Sequence, residues 1–167
     1  MFRYQHIEDR KLIADLLLII ARPENSFHEI ENLKQTLSKI TDWQLLVLLT
    51  SQNGLIPLLY KKLSSNELNY LLPQKIINTI NQKYLASVKH LLSLEAGLIK
   101  IHSAFLSKSI DFIVLKGLTL SHDLYEEPSL RPMFDLDVLV KEKDIEKALL
   151  LLLELGFKSE KGIKEND

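Results

Sequence analysis

Apolar residues along the first hundred positions recur at intervals of three and four, the pattern of helices that bury one face. Glu8 to Ala21 carries Leu12, Leu16 and Ile19 on one stripe and is predicted to stop before Pro23. A second helix is predicted from Ser26 to Ile40, with Phe27, Ile30, Leu33 and Leu37 at helical spacing. Thr41 is expected to cap a third, in which Trp43, Leu46, Val47 and Thr50 face the core. Asn53-Gly54 breaks it, and Leu55 to Leu63 comes next with Pro57 in its first turn, where a missing amide hydrogen costs little. Pro73 then opens the longest element, which runs to about Lys108 with Ile77, Ile80, Tyr84, Val88, Leu91, Leu98, His102 and Phe105 along one side. At 1.5 Å per residue it would be about 50 Å long and would link the helical layer to the C-terminal third of the chain. Gly97 interrupts its stripe and signals either a close packing contact or a small kink.

The pattern changes at Asp111. Phe112 to Leu115 is a short, wholly apolar run of the kind that makes a buried strand. Gly117 marks the change from strand to helix, and Leu118, Ser121, His122 and Tyr125 continue a short helical pattern. Glu127-Pro128-Ser129 reads as a loop, Phe134 to Val140 as a second strand, and Glu142 to Leu155 as a helix with Ile145, Leu149 and Leu152 inward and Asp144 near its positive end. Gly156 ends that helix, and Phe157 begins what reads as a further strand before the polar tail from Lys158 to Asp167. The expected organisation is a helical region over 1–108 and a partial strand–helix core over 109–167. Two strands alone make a marginal sheet, so this core needs further cover.

Composition narrows the class. A chain of 167 residues with 46% hydrophobic and 26% charged residues can bury a core of its own. Its apolar runs, such as Leu16 to Ala21, fall well short of the roughly 20 residues of a membrane span, so no membrane partner is expected. There is no signal-peptide pattern. Cysteine is absent, which excludes disulfides, thiolate metal sites and cysteine nucleophiles, and fits a reducing, cytoplasmic setting. A formal net charge of -1 gives no general attraction to nucleic acid. Glycine-rich dinucleotide and P-loop motifs, HExxH and serine-nucleophile signatures are all missing.

The residues that point to chemistry lie between 116 and 137. In a strand from Phe134, Asp135 and Asp137 would share one face while Leu136 and Val138 point the other way. Adjacent like charges on a sheet call for compensation, which a hard divalent cation supplies while also holding phosphates. Gly117 sits where backbone amides open at a helix N-terminus, a ready phosphate site. Lys116 beside it is either a mobile counter-charge for phosphate or a surface lysine, and the sequence leaves both open. Arg131 is expected to pair with Asp135, Asp137 or a bound phosphate, or to form a purely structural salt bridge. His122 reads as a packed or hydrogen-bonded core histidine and not a ligand, and Met133 and Phe134 as packing beneath the start of the strand. Trp43, Tyr60, Tyr84 and Phe105 read as core.

In order along the chain stand Asp42-Trp43, Ile56-Pro57-Leu58-Leu59-Tyr60, Leu115-Lys116-Gly117, Tyr125, Pro128, and Leu130 through Val140 with Arg131-Pro132-Met133-Phe134-Asp135-Leu136-Asp137. This ordered set resembles the family described as uncharacterised nucleotidyltransferases, within the nucleotidyltransferase superfamily. The resemblance covers nearly the whole chain. It implies an α+β fold in which a helical N-terminal region precedes a partial nucleotidyltransferase core with a small mixed sheet. It also implies metal-dependent transfer of a nucleoside monophosphate from a nucleoside triphosphate to an acceptor. Asp135 and Asp137 would hold Mg²⁺ and carry catalysis, while Lys116, Gly117 and Arg131 would bind the nucleotide phosphates.

Three departures qualify this. Phe134 stands where relatives usually have glycine, and its ring is expected to narrow the nucleotide site or shift the strand. Leu118 replaces the usual glycine or serine after Gly117. Relatives also supply a third acidic residue from a later strand, and Glu160, Glu165 and Asp167 in the polar tail are not assigned that role. The expectation is of weak or no turnover by this polypeptide alone. Two further readings stay open: a non-catalytic remnant acting through protein contacts, and a subunit completed by another chain, with self-association through an incomplete sheet expected for either. The acceptor is not encoded, since small molecules, sugars, protein side chains and RNA ends use the same donor chemistry.

Overall fold

The computed structural model describes residues 2–22 and 26–158. Four helices come first: α1 (Phe2–Ile20), α2 (Phe27–Leu37), α3 (Trp43–Gln52) and α4 (Ile56–Ser65). A single 3-10 turn (Leu68–Leu71) leads to α5 (Gln74–Ser107), which spans 34 residues and so about 51 Å. Beyond it lie β1 (Phe112–Leu115), α6 (Gly117–Leu124), β2 (Asp137–Val140) and α7 (Ile145–Glu154). The α+β class expected from sequence is the class of the fold: a helical bundle, then a small sheet flanked by helices. Its two described strands are antiparallel, with Phe112 opposite Val140 and Leu115 opposite Asp137.

Local chemistry explains most element boundaries. Ser26 accepts from the Glu29 amide while the Glu29 carboxylate accepts from the Ser26 amide, a capping box that fixes the start of α2. The residue that caps α3 is Asp42, whose carboxylate accepts from the Leu45 amide at 2.9 Å, and not Thr41. Thr41 is engaged elsewhere. Its amide and hydroxyl donate to Asp9 of α1 at 3.1 and 2.8 Å, and the Asp42 amide donates to the same carboxylate at 3.1 Å. Asp9 is only 3% exposed. One buried carboxylate therefore ties α1 to the corner between α2 and α3, satisfying backbone donors that a helix start leaves open.

Packing divides into three clusters. Ile13, Leu16, Ile20, Leu33, Leu37, Leu46, Leu59 and Ile80 belong to an all-helical core. Ile101 and Phe105 of α5 meet Ala148 and Leu151 of α7 under the inner sheet face of Phe112, Val138 and Val140. Leu91 of α5 meets Leu118 of α6 and Met133 between them.

Several buried faces are rotated from the sequence expectation. In α1 the buried line is Asp9, Ile13, Leu16 and Ile20, one residue off from Leu12 and Ile19. In α7 it is Ala148 and Leu151, and Ile145 and Leu149 are exposed. Phe27 is exposed beside its cap, and His102 lies on the exposed side of α5, its ring edge-on to Phe112. Gly97 has no heavy atom near the position of a Cβ, so it marks no close contact. Strand β2 starts at Asp137 and not Phe134, and Phe157 and Lys158 are not in a strand. Residues 159–167, with Glu160, Glu165 and Asp167, lie outside the described residues.

Because Asp9 satisfies three donors at one corner, Asp9→Ala should destabilise the chain by about 3 kcal/mol, with Asp9→Asn intermediate. Urea unfolding at constant m-value checks this; an unchanged midpoint for Asp9→Ala would remove Asp9 from the role of corner tie.

Candidate functional site

The site starts from an unusual backbone. Lys116, between β1 and α6, has φ 45° and ψ −107°. That region is costly for a residue with a Cβ and persists only where the surroundings hold it. Here the surroundings are the ladder of β1 on one side, whose last pair is Leu115 with Asp137, and the helix that opens at Gly117 on the other. The turn aims the Lys116 side chain back across the ladder, where Nζ lies 2.8 Å from Asp137 Oδ2. That contact, and the further charge of Asp135, raise the Lys116 pKa above its usual value. Both carboxylates thus act on one ammonium group.

Asp135 lies outside the strand in an extended stretch and is exposed; Asp137 is half-buried at the first strand position. Leu136 between them packs inward against two of the core clusters. Of the two aspartates, only Asp137 lies in the strand and is paired in the ladder, so the shared strand face expected for both does not arise from strand pairing.

Gly117 is closely approached. A Cβ there would stand 3.2 Å from Met133 Sδ, with Arg131 Nη1 and the Asp135 carbonyl also within 4 Å. Arg131 donates from Nη1 to the Gly117 carbonyl at 3.1 Å, so its described partner is the turn itself and not Asp135 or Asp137. Met133 is buried as expected, whereas Phe134 is exposed and neither packs beneath the strand nor covers Gly117. His122 is on the surface, its Nε2 3.0 Å from Glu95 Oε1.

The helical layer holds the segment that delivers these residues. Tyr60 of α4 stacks on Tyr84 of α5 with ring centroids 4.0 Å apart, and the Tyr84 hydroxyl shares a hydrogen bond with Ser129 at 3.3 Å. Lys61 pairs with Glu127, a hydrogen bond that raises the lysine pKa. The Gly54 turn, at φ 67°, reaches Pro132. The Ile56–Tyr60 stretch and the Tyr125–Asp137 stretch are distant in sequence and joined here.

The profile of the family described as uncharacterised nucleotidyltransferase matches residues 39–167. The chain belongs to that family. No match is found among curated proteins or among solved structures. Membership agrees with the order of elements, in which a glycine turn succeeds β1, Asp137 opens β2 and Asp135 lies two residues before it.

Among the described residues, no group of three or more histidine, aspartate or glutamate side chains is placed to hold a metal ion. Two carboxylates are nonetheless a fitting donor set for Mg²⁺, which commonly takes one or two protein carboxylates and completes its shell with water and phosphate oxygens. Asp137 Oδ2 is paired with the ammonium of Lys116. No described helix is long and apolar enough to cross a membrane.

The sequence reading missed the wall facing this site. Lys83, Ala86, Ser87 and His90 of α5 line a hollow bounded also by Pro132 and Phe134. Their spacing of i, i+3, i+4 and i+7 places them on one helix face, a signal that was present in the chain.

Strain at Lys116 exceeds what its exposed ion pair returns. Lys116→Gly should therefore raise the urea midpoint of unfolding. A lower midpoint would show that the ion pair outweighs the backbone cost.

Proposed function

We propose that the chain binds a nucleoside triphosphate with Mg²⁺ at the turn between β1 and α6 and serves transfer of its nucleoside monophosphate to an acceptor hydroxyl. The observation that carries this reading is the ion pair of Asp137 with the Lys116 ammonium beside the uncapped N-terminus of α6, with Asp135 two residues before Asp137 and its carbonyl within 4 Å of the Cβ position of Gly117. Asp135 and Asp137 would hold the metal, whose chemistry is to neutralise the triphosphate and to stabilise charge on the attacking and leaving oxygens.

The chain's own groups do the rest. The first amides of α6 carry no side-chain cap and can take a phosphate oxygen, while the missing Cβ of Gly117 makes room for Met133 beneath the turn. Arg131 holds the Gly117 carbonyl and keeps that turn in place. Lys116 exchanges its carboxylate partner for a phosphate oxygen when the nucleotide arrives, since a point charge on a flexible stem moves easily. In the transfer itself, the acceptor oxygen forms a bond to the α-phosphorus in line as the bond to pyrophosphate breaks, and the acceptor proton passes to solvent or a base.

A second reading has its own support. The outer face of the sheet carries Ile113 at 60% and Leu139 at 52% exposure next to Asp137. Such a face favours a covering element from another chain, which would make this polypeptide a subunit or a contact module.

Calorimetric titration with ATP and GTP, with and without Mg²⁺, separates the two. Binding should require Mg²⁺ and disappear in the Asp135→Ala/Asp137→Ala double variant. Unchanged binding by that variant would sink the assignment. No binding by a folded wild-type chain would favour the contact module, for which sedimentation should show association rising with concentration.

A further inference from the structure

Between the helical layer and the segment leading to Asp135 lies a hollow of about 350 Å³, within the size range of small-molecule sites. Ile56, Pro57 and Met133 give it an apolar lining. Phe134 stands at its edge with 83% of its surface exposed, and the His90 ring lies across from it at 6.3 Å with a tilt of 38°. Lys83 from α5 donates to the Ser51 hydroxyl at 3.3 Å on the same rim.

We infer that this hollow seats the base of the nucleotide and selects guanine and uracil, which carry a carbonyl at C6 or C4, over adenine and cytosine, which carry an amine there. The inference rests on the nucleotide reading proposed for the β1–α6 turn and extends it. Position is the first argument. Phe134 precedes Asp135, so their Cα atoms are about 3.8 Å apart. Met133 lies against Gly117 on one side and lines the hollow on the other. The order across the surface is therefore phosphate turn, Met133, hollow. A nucleotide with its phosphates over Gly117 and Asp135 projects its base past Met133.

Chemistry is the second. A flat heterocycle covers the exposed ring of Phe134 by stacking, a contact that any base can make. Discrimination then falls to the rim. Lys83 has three donors and no acceptor, so it pairs with O6 of guanine or O4 of uracil and meets the exocyclic amine that adenine or cytosine carries at that position unfavourably; N7, common to both purines, does not discriminate. The Ser51 hydroxyl gives or accepts and does not alter that choice.

The test titrates the full chain in Mg²⁺ with GTP, ATP, UTP, CTP and inorganic tripolyphosphate. In the wild type, GTP should bind about tenfold more tightly than ATP, and UTP more tightly than CTP. Ala86→Trp, at an exposed position of α5, should fill the hollow and weaken all four nucleotides at least tenfold while leaving tripolyphosphate unchanged. Lys83→Met should erase the preference between GTP and ATP. Equal wild-type affinities for the four nucleotides would overturn the selectivity. Nucleotide affinity untouched by Ala86→Trp would overturn the base seat and leave the nucleotide reading standing. If neither nucleotides nor tripolyphosphate bind, the nucleotide reading fails and this inference falls with it.

Discussion

Helix α5 is the constraint on which the rest of the structure depends. It supplies Ile76 and Ile80 to the all-helical core, Leu91 to the cluster under α6, and Ile101 and Phe105 to the cluster under the sheet. These groups lie at its start, middle and end, and a helix of about 51 Å fixes the distance between them. The bundle and the sheet are consequently not free to choose their spacing. The candidate site falls over the middle of this helix, where buried residues are sparse and Lys83, Ala86 and His90 face outward. A long rigid element with two packed ends and a lightly covered middle leaves room there for a hollow without loss of either core.

At the turn itself, backbone geometry precedes charge. Lys116 takes a costly φ because the β ladder and the start of α6 leave it no alternative, and that conformation is what lets its ammonium reach Asp137. Arg131 does not add to the ionic set; it fastens a carbonyl. The charges that remain are two carboxylates and one ammonium, a net of about one negative charge near neutral pH. Such a trio repels a bare triphosphate. It attracts a divalent cation or a nucleotide already neutralised by one, which is why metal dependence and nucleotide binding belong to one reading.

Much of this was legible in the sequence, and the failures have physical causes. Pro73 and Gly156 marked boundaries well, since each acts on the backbone at its own position. The buried faces of α1 and α7 were displaced by a residue because runs such as Leu16–Ile20 and Leu149–Leu153 are apolar on every side, so periodicity cannot choose among them. Asp9 was invisible as a core residue, because its partners are backbone amides 32 and 33 positions away. The turn at Gly117 and the pair Asp135 and Asp137 could be found as a local pattern. Arg131 could not be assigned, because its partner is a carbonyl, and carbonyls carry no mark in a sequence. Phe134 was expected to pack because it is apolar; Pro132 and Met133 are held by Gly54 and Gly117, and the ring next in sequence is left outside.

The two faces of the sheet differ in a way that links stability to chemistry. Phe112, Val138 and Val140 face α5 and α7 and are covered. Ile113, Leu139 and Leu115 face the other way, and Asp137 lies opposite Leu115 on that same face. A two-stranded sheet gains little from its own hydrogen bonds and depends on what packs against it. Burying Ile113 and Leu139 would therefore add apolar stabilisation at the place where it would also bring new side chains beside Asp137 and Lys116. An element that covers this face strengthens the sheet and reshapes the dielectric around the carboxylate in a single step. Any element that covered Ile113 and Leu139 would therefore also lie beside Asp137 and Lys116, so the stability of the sheet and the surroundings of that ion pair are coupled through one face.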